Sequence, residues 1–209
     1  MPDLPQTIRS GELKLEGVIQ MPPAGVEKAP AVVLCHPHPL YGGNLQNNVV
    51  VAVSQTLVKR GFITLRFNFR GVGLSEGEFD DGRGEKDDLW AAVETVAGLP
   101  EVDRNYLGVM GYSFGGMVAL AAAKNIDLIR AVAAVSPVLT ADLLNGFNKP
   151  SYFICGTMDH VVQTELLIGE AEKMTPPGEV EIVQGVDHFW FGREDIMAKK
   201  VASFFERTL

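Results

Sequence analysis

The sequence feature that most constrains this chain is the run Gly111-Tyr112-Ser113-Phe114-Gly115-Gly116. An apolar run at residues 106–110, typical of a buried strand, precedes it, and a helical pattern at residues 117–124 follows it. A serine at a strand-to-helix junction, with a glycine two residues away on each side, is the G-x-S-x-G pattern of a nucleophile elbow. The glycines leave out Cβ atoms that would collide with neighbouring strands and the helix. Serine is also a common helix N-cap, so this run alone does not exclude an ordinary strand-to-helix turn.

Strand and helix patterns alternate from residue 31 to residue 209, which predicts an α/β fold. Continuous apolar runs such as residues 31–35 are typical of parallel strands that are covered on both faces. The strand patterns cover residues 12–20, 31–35, 62–69, 106–110, 131–135, 152–155 and 180–183. We expect one domain, residues 1–209, with a mostly parallel central sheet and helices on both faces.

Local signals add detail at the start of this pattern. Residues 12–20 are followed by Pro22-Pro23 and are expected to form an edge strand. Asn44 or Asn47 is expected to cap a helix that ends at Gly61. Residues 62–69 alternate apolar and polar positions, which is the periodicity of a strand.

Charge and composition indicate location and partners. The net charge is −8 and the acidic residues are spread along the chain, which disfavours nucleic acid or an anionic membrane as a partner. The first ten residues lack the basic start and apolar core of a signal peptide, and no apolar stretch approaches the ~20 residues of a transmembrane helix. The two cysteines, Cys35 and Cys155, are expected to be free thiols. We expect a cytoplasmic protein with a small-molecule substrate and an oligomeric state that the sequence does not indicate.

A serine hydroxyl needs a base to take its proton, and the base needs an acid to orient it. In open parallel sheets the reactive groups gather beyond the carboxyl ends of the strands. Asp159 follows the strand at residues 152–155, and His188 lies between the last strand and the last helix. The chain order Ser113, Asp159, His188 therefore predicts a Ser-His-Asp triad.

Other residues compete for these roles. Asp187 precedes His188 directly, and a carboxylate rarely folds back onto the ring of its neighbour, so we expect a loop residue. Asp142, in the insert at residues 138–149, remains an alternative acid. His160 is expected to point outward or to make a local hydrogen bond. The alternative for His188 is that it is an ordinary surface histidine.

Attack on a carbonyl also requires donors for the oxyanion. One expected donor is the backbone N–H of Phe114, directly after the nucleophile. The second is expected in the loop after Cys35, where prolines without an N–H flank His38. The His38 amide is the favoured donor, and the amides of Leu40 and Tyr41 are the alternatives.

No metal or cofactor is expected. His36 and His38 have the spacing of two ligands, but no third ligand motif lies nearby. Gly71-x-Gly73 is followed by Gly77, one position late for a dinucleotide-binding turn, and Met117 stands where a P-loop needs lysine.

The combination of motifs resembles the small cap-less α/β-hydrolases, which are related in broad terms to the dienelactone hydrolase-like group. The resemblance covers the chain from about residue 12 and rests on four segments: residues 36–43, residues 66–77, the elbow and residues 186–189. It implies Ser113, Asp159 and His188 as the triad and the His38 loop as the oxyanion region. Dienelactone hydrolases proper use a cysteine nucleophile, whereas this elbow carries Ser113, so their specific reaction is not implied.

The substrate pocket is predicted from residues near these loops. Arg70 falls at the carboxyl end of its strand, where it could meet a substrate carboxylate, although such an arginine more often ties down an acidic loop. The aromatic residues around His188 are expected either to wall an acyl pocket or to pack in the core. The pocket candidates are Tyr41, Arg70, Phe189 and Trp190.

These features predict a serine hydrolase of esters or thioesters that works through an acyl-enzyme on Ser113. The insert at residues 137–150 is too short for a lid domain, which predicts an open site. Two alternatives remain: an acyltransferase with the same triad, and a non-catalytic binding module on the same fold.

Overall fold

The computed structural model describes residues 2–23, 28–140 and 142–209. The strands are β1 (Leu4–Ser10), β2 (Leu13–Gln20), β3 (Ala29–Cys35), β4 (Ile63–Phe67), β5 (Val102–Tyr112), β6 (Ile129–Val135), β7 (Ser151–Gly156) and β8 (Glu179–Val183). The helices are α1 (Asn48–Lys59), α2 (Gly84–Ala97), α3 (Phe114–Ala123), α4 (Thr164–Glu172) and α5 (Glu194–Thr208). A short 3-10 turn, Pro39–Tyr41, lies between β3 and α1.

The strands form one sheet in the order β1-β2-β4-β3-β5-β6-β7-β8. β2 pairs antiparallel with both β1 and β4, and all the other neighbouring pairs are parallel. The mostly parallel sheet is therefore confirmed. Because β3 to β8 run in the same direction, the loops that follow them meet at one edge of the sheet. The single domain over residues 1–209 stays a prediction.

Helices cover both faces of the sheet, as the sequence predicts. α1 and α5 pack on one face, where Val53, Leu57 and Val201 are fully buried. α2, α3 and α4 pack on the other face, where Leu89 and Leu167 are fully buried. Each such side chain contributes roughly 1.5–3 kcal/mol through the apolar surface it removes from water.

The prediction of an edge strand at residues 12–20 is wrong in its position. β1 pairs with β2 in a hairpin and takes the edge, so β2 lies inside the sheet. The hairpin turns at Gly11, whose φ of 59° costs less for glycine than for residues with a Cβ. β1 escaped prediction because its alternation is weak: most of its residues are exposed or half-exposed, and only Ile8 and Ser10 are buried.

The polar residues of β4 are buried, although their alternation with apolar residues is typical of a half-exposed strand. The Thr64 hydroxyl lies 2.7 Å from that of Ser54 on α1. The guanidinium of Arg66 donates to the Leu45 carbonyl at 2.9 Å and pairs with Asp3 at 2.9 Å. The polar face of this strand therefore lies under α1 and its preceding loop, where hydrogen bonds satisfy most of its polar atoms. Among the described residues, the buried Nε of Arg66 has no partner.

Asn47 caps α1, which resolves the choice between the two predicted asparagines. Its side chain accepts a hydrogen bond from the Val49 amide at 3.0 Å. Asn44 lies in the preceding turn and accepts from the Gln46 amide at 2.9 Å.

The segment between β6 and β7, residues 136–150, contains no helix or strand in its described part, which excludes residue 141. The site edge of the sheet is therefore open at the place where a lid would be inserted. Within the described ranges, no helix has the length and apolar character needed to cross a membrane. The cytoplasmic location stays a prediction.

Candidate active site

The nucleophile-elbow motif forms the junction between β5 and α3. Ser113 has φ 54° and ψ −116°, a conformation that costs a non-glycine residue roughly 1–3 kcal/mol. A Cβ on Gly111 would lie 2.2 Å from the Gly115 carbonyl oxygen, and one on Gly115 would lie 2.4 Å from that of His36. The two glycines therefore let α3 approach the ends of β3 and β5, and the strained serine stands at the sheet edge.

The three side chains of the predicted triad are joined by hydrogen bonds. The Nε2 atom of His188 lies 3.0 Å from the Ser113 hydroxyl oxygen. Its Nδ1 atom lies 3.0 and 2.9 Å from the two carboxylate oxygens of Asp159. A proton on Nδ1 leaves Nε2 free to accept the serine proton, which is the arrangement that a general base requires.

The Asp159 carboxylate is buried, and several protein groups donate hydrogen bonds to it. Its Oδ1 atom accepts the amides of Val161 and Val162 at 3.0 and 3.1 Å. Burial raises the pKa of this carboxyl, but hydrogen bonds from the His188 and Ser136 side chains and the Val162 amide outweigh burial and lower it. Asp159 is therefore ionised under neutral conditions and can stabilise a positive charge on His188.

Ser136, for which the sequence predicts no role, lies next to Asp159 and is held by Trp190. The indole Nε1–H of Trp190 donates to the Ser136 hydroxyl oxygen at 3.0 Å, and both residues are fully buried. Because the indole is only a donor, the hydroxyl proton is left to point at the Asp159 carboxylate. The sequence signal for Ser136 was its position directly after a central strand.

Tyr112 is a second residue that the sequence analysis did not assign. Its hydroxyl donates to the backbone carbonyl of His188 at 2.7 Å, and its ring centroid lies 5.5 Å from that of the imidazole. Burial raises the pKa of this phenol, so it remains a hydrogen-bond donor. Tyr112 thereby ties the histidine loop to the elbow.

The loop after β3 holds the predicted oxyanion donors. Within the described residues, neither the His38 amide nor the Phe114 amide has a hydrogen-bond acceptor. His36 fixes this loop, because its Nδ1–H donates to the Pro37 carbonyl at 2.6 Å and its Nε2 accepts the Phe69 amide at 3.0 Å. Burial lowers the pKa of His36 to about 4, so its imidazole is neutral.

The idea that His36 and His38 form a metal pair does not fit these contacts. Both ring nitrogens of His36 are engaged, and the His38 Nδ1 accepts the Leu40 amide at 3.2 Å. In the part of the chain that the structure describes, no three His, Cys, Asp or Glu side chains are grouped as metal ligands.

An open cleft of about 590 Å³ leads to Ser113, within the usual size range of small-molecule sites. Its walls are mostly apolar or aromatic and include Tyr41 and Phe189, two of the predicted pocket residues. Both side chains are exposed, at 88% and 56%. The lining residues are Pro37, His38, Tyr41, Gly42, Gly43, Asn47, Phe79, Asp81, Tyr112, Ser113, Phe114, Met117, Val138, Val161, His188 and Phe189.

Two predicted pocket residues do not line this cleft. Trp190 is fully buried in the core on the α1 and α5 face. Its φ of 61° turns the chain so that its ring points inward while the rings of Phe189 and Phe191 point outward and stack.

Arg70 binds the buried Asp88. Its Nε lies 3.0 Å from one carboxylate oxygen, and a terminal nitrogen lies 2.8 Å from the other. It is therefore a structural arginine, although its partner lies on α2 rather than in the loop.

The competing residues lie in other environments. Asp187 accepts the amides of Phe189 and Trp190 and shapes their turn, as expected of a loop residue. Asp142 is exposed and bound to Asn145 at 2.6 Å. His160 is exposed, as predicted.

Comparisons with known proteins agree with this fold. Residues 11–169 match the model of the X-Pro dipeptidyl-peptidase (S15) family. An α/β serine hydrolase homologue of Coxiella burnetii is 30% identical and superimposes with a TM-score of 0.86 over 97% of each chain. A lidless α/β serine hydrolase of Xanthomonas campestris is 26% identical, with a TM-score of 0.88 over 99% of this chain and 96% of that one.

A curated relative, thiohydrolase aneE of Aspergillus aculeatus, is 29% identical over 133 residues. The match covers 62% of this chain but only 39% of that relative. The expected fold is confirmed, whereas the dienelactone hydrolase-like grouping is not among the names that these comparisons give. The chain belongs to the X-Pro dipeptidyl-peptidase (S15) family and is a small α/β serine hydrolase without a lid.

Proposed function

We propose that this protein hydrolyses carboxylic esters or thioesters of small substrates through an acyl-enzyme on Ser113. The observation that carries the proposal is the hydrogen-bonded series Ser113–His188–Asp159. It opens into a mostly apolar cleft, beside two amides that have no acceptor in the part of the chain that the structure describes. A binding module would not need a strained serine aligned with a base and an acid.

In the first half of the reaction, His188 Nε2 takes the Ser113 proton as the hydroxyl oxygen attacks the substrate carbonyl. The carbonyl π electrons move to oxygen, and the amides of Phe114 and His38 bind this oxyanion. Each such donor stabilises the transition state by about 3 kcal/mol. Asp159 holds the imidazole and stabilises its positive charge.

Collapse of the tetrahedral intermediate breaks the bond to the leaving alcohol or thiol. His188 gives its proton to the leaving oxygen or sulfur, and the acyl group stays on Ser113. A water molecule then loses a proton to His188 and attacks the acyl carbon. The carboxylic acid departs as Ser113 recovers its proton.

The shape of the cleft supports small or surface-presented substrates. The mostly apolar walls suit an acyl or aryl group, and the exposed Tyr41 and Phe189 frame an entrance without a lid. The thiohydrolase relative adds support for thioesters beside oxygen esters. Peptide cleavage is less supported, because an amine is a poorer leaving group and the family match alone does not define a substrate.

A fluorophosphonate probe tests the nucleophile. We expect one adduct on Ser113 in the wild-type protein and none in Ser113→Ala, with labelling of His188→Ala slower by at least about a hundredfold. A folded wild-type protein that stays unlabelled would refute the proposal.

A panel of p-nitrophenyl esters of increasing acyl length, run beside the matching thioesters and anilides, defines the reaction. We expect turnover of short and medium esters and thioesters and little turnover of anilides. Added alcohols or amines distinguish hydrolysis from acyl transfer, because a transferase would form the new ester or amide instead of the free acid.

A further inference from the structure

One acidic side chain lines the cleft beside Ser113. Among the described residues that form the cleft, Asp81 is the only carboxylate, and the walls around it are mostly apolar or aromatic. Asp81 makes no ion pair within the described ranges, whereas its neighbour Asp80 is paired with Arg83 at 2.9 Å. The entrance therefore carries an uncompensated negative charge.

The chain around Asp81 is held firmly. The buried carboxylate of Glu85 accepts the amides of Asp80 and Gly82, each at 2.8 Å, one on either side of Asp81. These two hydrogen bonds hold the backbone of Asp81 in a left-handed conformation, with φ 50°. A Cβ on Gly82 would lie 3.0 Å from the end of the Met117 side chain, so the loop packs against the first turn of α3.

We propose that Asp81 makes the cleft selective for esters and thioesters that carry a positive charge away from the reacting carbonyl. This inference rests on the proposed function and names a substrate class for it. The Asp81 side chain is exposed to solvent at the wall of the cleft, where its carboxylate attracts a cation and repels an anion during binding. The apolar walls would hold the acyl chain while Asp81 faces an ammonium group.

A matched pair of substrates isolates this charge. A choline ester carries a trimethylammonium group, and the 3,3-dimethylbutyl ester of the same acid is its neutral equivalent in shape. Choline is the better leaving group because its ammonium group makes the alcohol more acidic, and this intrinsic difference cancels when the ratio of the two kcat/KM values is compared between protein variants. We expect the wild-type protein to favour the choline ester, and we expect the preference to weaken as salt is added.

Asp81→Asn should lower this ratio by roughly two- to fivefold, because asparagine tolerates the same backbone conformation but has no charge, and solvent weakens the effect of an exposed charge. Glu78→Gln is the control, since it removes one charge from an exposed position of the same loop outside the cleft. A wild-type ratio near one, or an equal ratio in the Asp81→Asn and Glu78→Gln variants, would overturn the inference.

Binding to the Ser113→Ala variant separates this inference from the proposed function. Calorimetric titration with the two intact esters should show tighter binding of the choline ester, and the Asp81→Asn substitution should abolish the difference. If the wild-type protein turns over neither these esters nor the p-nitrophenyl esters but this difference is present, hydrolysis is wrong and the charge selectivity of binding stands. Equal binding of the two esters would refute the selectivity whether or not turnover occurs.

Discussion

At the scale of single residues, a buried indole donates a hydrogen bond to a buried hydroxyl next to the Asp159 carboxylate. Trp190 donates to Ser136 at 3.0 Å, and the hydrogen bond from Ser136 contributes to the lowered pKa of Asp159. Both Ser136 and Trp190 have positive φ, with values of 44° and 61°. Two strained residues in one buried network next to the site indicate a positioning role rather than simple packing.

We expect Trp190→Phe to lower kcat by roughly three- to tenfold and the free energy of unfolding by about 1–3 kcal/mol, since a buried acceptor loses its donor. Ser136→Ala should lower kcat by a similar factor. A double-mutant cycle separates positioning from packing: in the Ser136→Ala background, Trp190→Phe should have little further effect on kcat. Additive effects of the two substitutions on kcat would contradict this role.

His36 makes stability depend on pH. Its pKa is lowered by burial from 6.5 to about 4, so between these values the unfolded chain binds a proton that the folded protein does not. The free energy of unfolding should therefore fall by roughly 3 kcal/mol from this residue as the pH drops from 6.5 to 4. Below pH 4 the contribution becomes constant.

Denaturant unfolding at several pH values checks the total effect, and NMR titration of the imidazole identifies His36 as its source. The His36 signal should titrate near pH 4. Titration near the ordinary value for histidine would show that the oxyanion loop is not packed as the structure indicates.

At the scale of secondary-structure elements, the junction between β5 and α3 requires its glycines. Because a Cβ on Gly115 would overlap the carbonyls of Cys35 and His36, at 2.5 and 2.4 Å, the helix would have to move away from the sheet. We expect Gly115→Ala to destabilise the protein by at least about 3 kcal/mol and to abolish ester turnover.

Gly169→Ala is the matched control for this substitution. Gly169 lies inside α4, and an added Cβ would meet nothing within 4 Å. Its replacement should raise the free energy of unfolding by about 0.5–1 kcal/mol, because alanine is the better helix former. Equal melting temperatures for the two variants would argue against close contact at the elbow.

Arg70 connects the loop after β4 to α2 and thereby to β1. Its partner Asp88 is fully buried and also accepts the Ser10 hydroxyl at 2.7 Å. Arg70→Met would leave a buried carboxylate without its cation, and we expect a loss of about 3–5 kcal/mol of stability. The order of preference among acyl chain lengths should not change, whereas a reordered preference would indicate contact with substrate.

The features that could be predicted from the sequence are those with a signal in neighbouring residues, such as apolar periodicity or a short motif. The central strands and the helix stripes carry strong apolar periodicity, and the elbow, Asp159 and His188 follow strands whose order brings their ends together. β1 has little apolar pattern, so β2 was wrongly placed at the edge. The partner of Arg70 and the direction of the Trp190 ring depend on tertiary packing and a positive φ, which a sequence pattern does not reveal.

At the scale of the whole molecule, the sheet collects its reactive groups at one open edge. Four consecutive strands of the sheet are each followed by one residue of the site. Ser113 follows β5, Ser136 follows β6, Asp159 follows β7 and His188 follows β8. The helices on both faces fix these strand ends, and the short segment between β6 and β7 leaves the cleft uncovered. The arrangement fits a hydrolase in which the entrance, rather than a lid, selects the substrate.

We propose above all that an acyl group is held on Ser113 during turnover. The most direct measurement is intact-protein mass spectrometry, with peptide mapping, of samples quenched by acid within the first turnovers of a p-nitrophenyl ester. We expect a mass increase of one acyl group, located on the peptide that contains Ser113, which disappears as substrate is consumed and is absent from Ser113→Ala. Turnover at the wild-type rate in Ser113→Ala, or an acyl group located on another residue, would contradict the claim.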